Sequence, residues 1–533
     1  MGLIMEKMDF IKTNEELISL VKNKKIAFWG AGEYCAYVLN ALAEKDMLHN
    51  VECIFVSDDF LGSNPGYICG KAVTTILEYE KFGRPDIVIA VSEVSSKPIL
   101  KLLESNGISP VAHITGELVF DLKRKCKNPF ADLFKHTPQR VVENADLTAK
   151  YINDLFDQRG RTADFEPPAQ ETLKLESRDP KLLAYYLPQF YTFQENDEWW
   201  GRGFTEWSNV TRAVPHFCGH YQPQLPIDVG FYDLENPKVM KRQIELAKKY
   251  GIYGFCFYYY WFSGKKLLHK PIEMFLRDTS LDFPFCLFWA NHTWTKTWAN
   301  DLVNDRSVLV EQKYHDEDPR QFISDILPLL KDPRYIKINN AALLIIYSVK
   351  EIPKLQQVVR TWRETAKKEG NIELYLVEVK MFNSNENKLT DGFDEYMDFL
   401  PNGAEAFDIT NTVDFIHPSC KSKVFSYKQM TENYKHFTSP QVLRCVVTAW
   451  DNTPRLFTNS RIYHGSTPLL YQQWLTNVIA ASRKLRGEAD NYIFINAWNE
   501  WAEGAHLEPD RRYGYAYLQA TANAIKNARQ EII

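Results

Sequence analysis

Glu500 and Glu503 stand three residues apart in the stretch NAWNEWAEGAHLEP, between Trp498 and Trp501, with Gly504 directly after. The stretch follows NYIFI, a short apolar run with the composition of a buried strand. At this spacing, on a turn or a first helical turn, two side chains project to one side. Carboxyl groups buried side by side lose hydration and repel, which drives their pKa values apart. One is then ionised and serves as a base, and the other keeps its proton and serves as an acid. That is the equipment for breaking a glycosidic bond. The spacing by itself is common, and such a pair can equally cap a helix or pair with Arg511 or Arg512. The weight comes from its place after a strand and between indole rings. His506 and Glu508 lie close enough to extend the site, although a histidine here is more often structural.

The elements that must position this pair repeat along the chain. From residue 181 onward, eight strand-like runs alternate with helical patterns: 182–190, 253–261, 283–291, 342–347, 374–379, 395–400, 443–450 and 492–498. Helical spacing is read over 237–251, 319–331, 352–370, 469–487 and 515–530. Eight strands with intervening helices predict a (β/α)8 TIM barrel over 181–533, with catalytic groups on the loops after the strands. The stretch 401–442 is long and mixed and can hide a further element.

Ten of the 13 tryptophans fall at those strand ends: 199, 200, 207, 261, 289, 294, 298, 450, 498 and 501. Aromatic residues make up 14% of the chain, so any single tryptophan is more readily core, but ten at one inferred face favour a binding surface. Flat rings suit the C–H faces of sugars, and polar groups beside them suit the hydroxyls. The candidate substrate-binding residues are Glu206, Trp207, Tyr259, Trp261, Asn291, His292, Trp294, Trp450, Asp451, Trp498, Asn499 and Trp501.

Ahead of the barrel, strands and helices alternate over 1–120 and predict a small Rossmann-like parallel-sheet domain. The turn GAGEYC carries the first two glycines of G-x-G-x-x-G, with Cys35 at the third position, and Asp58 ends the next strand. Gly30, Gly32 and Asp58 are therefore candidate cofactor-binding residues, with a tight turn that binds nothing as an equal alternative. Residues 121–180 are charged and read as a helical connector.

The bulk numbers exclude other classes. The net charge is 63 − 68 = −5, which gives no reason to expect nucleic acid. Nine cysteines lie scattered without a CxxC pair, which argues for reduced thiols and against zinc. No H-E-x-x-H is present, so neither a catalytic metal nor a cofactor is expected for the carboxylate chemistry. The N-terminus lacks a basic segment followed by an apolar one, and the longest apolar run, YGFCFYYYWF, is too short to cross a bilayer. The expectation is a cytoplasmic protein without a transmembrane segment, its oligomeric state open.

Two longer stretches, RGFTEWSNVTRAVPHFCGHYQPQLPIDVGFYDL (202–234) and NAWNEWAEGAHLEPD (496–510), resemble the WbsX-type family of O-antigen and lipopolysaccharide biosynthesis. That family is similar in turn to the endo-α-mannosidases of glycoside hydrolase family ninety-nine. The resemblance covers residues from about 180 onward and implies a (β/α)8 barrel. It also implies roles. In E-W-x-E-G, Glu500 would deprotonate the 2-hydroxyl of the sugar, and Glu503 would protonate the departing oxygen. Ala502 stands where the mannosidases usually have His, which loosens the implied preference for mannose. The expected function is a retaining enzyme that cleaves or transfers glycosidic bonds of a bacterial surface polysaccharide or its precursor. The alternatives are a nucleotide-sugar-dependent glycosyltransferase using the Rossmann-like domain, and a non-catalytic glycan-binding protein.

Overall fold

The computed structural model describes residues 8–22, 24–31, 33–57, 67–68, 71–125, 145–296, 307–380, 389–404, 407–417, 419–434, 440–487 and 491–530. The chain divides into two compact units: Met1–Asn144 with Asp408–Pro418, and Ala145–Phe407 with Ser419–Ile533.

The first unit is built on a sheet ordered Asp9–Ile11, Ala112–Ile114, Asp86–Ile89, Ile26–Trp29, Val51–Phe55 and Lys71–Thr74, all parallel, with Tyr67–Ile68 antiparallel at the edge. Strand order reverses beside Ile26–Trp29, where a doubly wound sheet has its crevice. Gly30 follows that strand with φ +115°, and a Cβ there would lie 2.5 Å from Val91 Cγ1 and 2.9 Å from Ala90 O. Close approach of the neighbouring strand's end thus accounts for this glycine by itself. Gly32 and Asp58 lie outside the described residues.

The second unit is the expected barrel. Its eight parallel strands are Lys181–Tyr186, Gly254–Phe262, Phe285–Trp289, Ala341–Ile346, Leu374–Lys380, Glu395–Asp398, Val442–Val447 and Tyr492–Asn496. Each pairs with the next, and the first pairs with both the second and the eighth, which closes the ring. These segments are nearly continuous apolar runs because helices cover one face and the barrel core the other. Pro237–Lys249, Lys270–Arg277, Asp318–Leu330, Leu355–Gly370, Pro468–Arg486 and Ala516–Gln530 pack outside. Lys270–Arg277 is a short helix that the sequence reading passed over.

Much of the aromatic content fills this core. Tyr185 stacks on Tyr258 at 5.6 Å and on Phe494 at 5.7 Å, and meets Phe288 and Phe399 at 5.4 and 5.3 Å. On the helix side, Trp261, Trp289, Phe322 and Trp362 form a second cluster, with Trp289 stacked on Phe322 at 4.3 Å. The mixed stretch before the seventh strand holds Lys423–Ser426. It joins Arg461–His464 and Trp450–Asp451 in a small sheet outside the barrel.

Candidate active site

Glu500 ends a two-residue strand and Glu503 ends the 3₁₀ turn Trp501–Glu503. Glu500 immediately precedes the turn and Glu503 ends it, and both carboxylates reach the same guanidinium. Gly504 closes the turn at φ +62°, where a Cβ would press on Asp451 N at 3.1 Å and Gln224 Nε2 at 3.0 Å. Two buried networks hold this turn. The Asn499 amide accepts from Leu187 N at 2.7 Å and donates to Leu187 O at 2.9 Å, imitating a strand pairing with the end of the first barrel strand. Glu508 accepts from Trp498 Nε1, Trp501 Nε1, Gln243 Nε2 and Tyr232 Oη at 3.1, 2.7, 2.6 and 2.9 Å. Burial pushes its carboxyl up to about 7 against those four donors.

The carboxylates face a cleft of about 510 Å³ at the mouth of the barrel. At its centre is a residue the sequence did not single out. Arg455 donates from Nε to Glu206 at 2.8 Å, from Nη1 to Glu503 at 2.5 Å and from Nη2 to Glu500 at 2.9 Å. All four side chains are nearly buried. Burial lifts Glu500 and Glu503 above the usual carboxylate range; Arg455 opposes the shift, and the neighbouring glutamates add to it. One cation therefore serves three carboxylates, and the cluster retains a proton more readily than isolated glutamates do.

Arg455 is itself held. Arg212 donates from Nε to Pro454 O at 3.0 Å. Asp451 Oδ1 accepts from Thr453 N and Oγ1, while its Oδ2 bonds Gln222 Nε2 and His220 Nε2, both at 2.6 Å. Burial works against the Asp451 charge, but His220, Thr453 and Gln222 outweigh it and hold the carboxyl at about 2. Asp451 thus braces the turn that carries Arg455 and is not among the residues lining this cleft.

Of the residues expected to bind substrate, Glu206, His292, Trp294 and Trp450 line the cleft with Glu500 and Glu503, as do Trp199 and Trp200. Burial lowers His292 to about 4, so its ring is neutral. The others lie behind the lining. Tyr259 and Trp261 alternate to the outer side of the second strand, where Trp261 Nε1 donates to Asp325 at 2.7 Å, while Tyr258 and Tyr260 line the cleft. Asn291 bonds Ser348 N and O and Tyr314 Oη, coupling the loops after the third and fourth strands. Trp207 packs on Phe190, Tyr232 and Trp501. Trp498 and Trp501 serve Glu508, and Asn499 serves Leu187, as described above. His506 stacks on Trp501 at 3.8 Å. Trp298 lies outside the described residues. Arg512 rests on the Tyr221 ring at 4.5 Å and pairs with neither glutamate.

The model of the WbsX glycosyltransferases matches residues 182–521, which takes in the eight barrel strands save Lys181, together with Glu206, Arg455, Glu500 and Glu503. The chain belongs to this family. That bears out the resemblance carried by residues 202–234 and 496–510. Two relatives in strains of Xanthomonas campestris pv. campestris, both named uncharacterized protein WxcX, are 39% identical over 355 and 363 residues. The matches cover 66% and 68% of this chain but 50% and 52% of those proteins, so the chain spans about half the length of the curated relatives it matches. Among solved structures, a glycoside hydrolase-like protein is 12% identical, with a TM-score of 0.42, over 68% of this chain and 98% of that one. The GH99 endo-alpha-mannosidase from Bacteroides thetaiotaomicron is 15% identical, with a TM-score of 0.40, over 67% and 99%.

Proposed function

We propose that this chain is a carbohydrate-active enzyme that cleaves or transfers a glycosidic bond of a bacterial surface polysaccharide or its precursor, with retention. The observation that carries the reading is the pair Glu500 and Glu503, at the two ends of one tight turn, buried in an aromatic-walled cleft and joined through one guanidinium to Glu206. A glycan-binding site has no need of three carboxylates shared by one cation. A bond-breaking site does, because it must hold a charged base and a proton-bearing acid side by side.

In the reaction, Glu500 takes the proton of the sugar 2-hydroxyl as its oxygen attacks C1. The bond from C1 to the departing oxygen breaks, and Glu503 gives that oxygen its proton. Glu503, now a carboxylate, then deprotonates an incoming hydroxyl, which opens the 1,2-anhydro ring at C1 while Glu500 returns its proton to O2. Two successive inversions at C1, from opposite faces, restore the starting configuration. Arg455 favours the charged form of both glutamates, against the burial that raises them, and holds the two carboxylates together. Hydrolysis and transfer differ only in whether water or a sugar hydroxyl is the acceptor.

The test compares glutamine variants on two substrates with the same sugar. A glycosyl fluoride leaves with little protonic help, so Glu503→Gln keeps much of its activity on the fluoride and loses about 10²–10⁴-fold on a glycoside with a poor leaving group. Glu500→Gln is crippled on both. Equal losses for both variants on both substrates would show the roles to be misassigned. Normal turnover of a 2-deoxy substrate would remove the anhydro-sugar route.

A further inference from the structure

Asn196 belongs to the helix Gln194–Trp200, three and four residues before Trp199 and Trp200. At those spacings the three side chains share one helix face, and all three line the cleft. The helix is fixed from its other sides. Glu195 pairs with Lys265 at 2.7 Å, and Asp197 Oδ1 accepts the Gly203 N–H at 2.8 Å. Trp199 meets Trp294 edge to face at 6.1 Å, so rings wall this end of the cleft.

The Asn196 side chain is 0% exposed, and neither its Oδ1 nor its Nδ2 has a hydrogen-bond partner in the protein. Asn291 and Asn499, equally buried, use both ends of their amides. A fold gains nothing by burying an idle donor and an idle acceptor, and such a group asks for a ligand that completes it. The ligand must offer an acceptor and a donor side by side. Two hydroxyls on adjacent carbons of a sugar ring do so: one O–H donates to Oδ1 and the neighbouring oxygen accepts from Nδ2. An acetamido group does not, because its N–H and C=O point in opposite directions. A carboxylate or phosphate would leave Oδ1 idle.

We propose that Asn196 is a specificity-determining residue that grips a vicinal diol of a sugar ring lying against Trp199 and Trp200. This rests on the reading of the cleft as a glycoside site. The residue takes no part in proton transfer; it selects units whose two neighbouring hydroxyls are both free, and rejects those deoxygenated or acylated at either one.

The test uses the full chain and a panel of methyl glycosides of the common hexoses and 6-deoxyhexoses, followed by monodeoxy forms of whichever binds. Native protein is expected to bind a parent glycoside about 10- to 100-fold more tightly than analogues lacking either hydroxyl of one adjacent pair. Asn196→Leu should bind the parent as weakly as native protein binds those analogues and lose the discrimination, with no fall in melting temperature, because no internal bond is removed. Asn196→Asp, which keeps only acceptors, should still sense one hydroxyl and ignore the other. Discrimination that survives in both variants, or a clear drop in the melting temperature of Asn196→Leu, would overturn the assignment. Failure of native protein to bind any glycoside of the panel would instead overturn the glycoside reading on which it rests.

Discussion

Replacing Arg455 by Met should make the barrel's stability depend more steeply on pH. The guanidinium makes three charge-assisted bonds at 2.5–2.9 Å and is 11% exposed. Removing one partner of a buried charge cluster costs about 3–5 kcal/mol, because the remaining charges are left unpaired. Here the carboxylates can lower that cost by keeping protons, and this is what ties the penalty to pH. Burial already raises Glu500 and Glu503 in the native protein, with Arg455 holding them down; without it they rise further. Wherever the variant retains one proton that the native site has released, its stability falls faster by about 1.4 kcal/mol per pH unit. Urea titrations at pH 5.5, 7 and 8.5 followed by tryptophan fluorescence measure this, since 12 of the 13 tryptophans belong to the barrel unit and only Trp29 to the other. A penalty below about 1 kcal/mol at pH 8.5, or one that is the same at all three pH values, would refute the shared-cation reasoning. Arg455→Lys keeps the charge but not the fork and should fall between native and Met.

Native stability should itself decline between pH 7 and 8.5, above the range in which His216, His292, His464 and His506, lowered to about 4 by burial, add stability as the pH rises. Glu500, Glu503, Glu508 and Asp510 all have folded-state values raised by burial, Glu508 and Asp510 to about 7. Stability from such shifts is complete below the unfolded value and is lost as pH rises through the folded one. Asp451, held at about 2, contributes above its unfolded value and loses that only in strong acid, so a urea midpoint that climbs from pH 7 to 8.5 would contradict these assignments. Asn499→Leu should cost about 2–4 kcal/mol, since it strands both Leu187 backbone groups in a buried position; an unchanged urea midpoint would deny that tether. Turnover should be insensitive to millimolar EDTA, because Arg455 already contacts all three carboxylates; loss of activity restored by a divalent ion would show that the cation can be displaced.

The eight strands were legible because double-sided burial writes each one as a short apolar run, and the carboxylate pair was legible because it sits in a dense local motif. The phase of those runs was not. Gly254–Phe262 is buried at every position, so nothing in it says which alternate residues face the mouth: Tyr258 and Tyr260 line the cleft, and the expected Tyr259 and Trp261 do not. The tryptophans followed the same logic: position after a strand was readable, direction was not. Arg455 left only its place after the seventh strand as a trace. A lone arginine in a loop has no periodicity, and its meaning arises from three glutamates supplied by two other segments.

Closure of the barrel pairs residues 181–184 with 492–495. The charged centre likewise draws on positions 206, 455, 500 and 503. Contacts so far apart along the chain are slow to form, since the entropy of closing the intervening loop must be overcome before they reward it. During synthesis the first seven strands are made before the segment that seals the ring and carries the glutamate pair. A nascent chain therefore has neither a closed ring nor the Glu500 and Glu503 pair until the eighth strand is in place, so under the proposed function activity would appear only as the fold is completed.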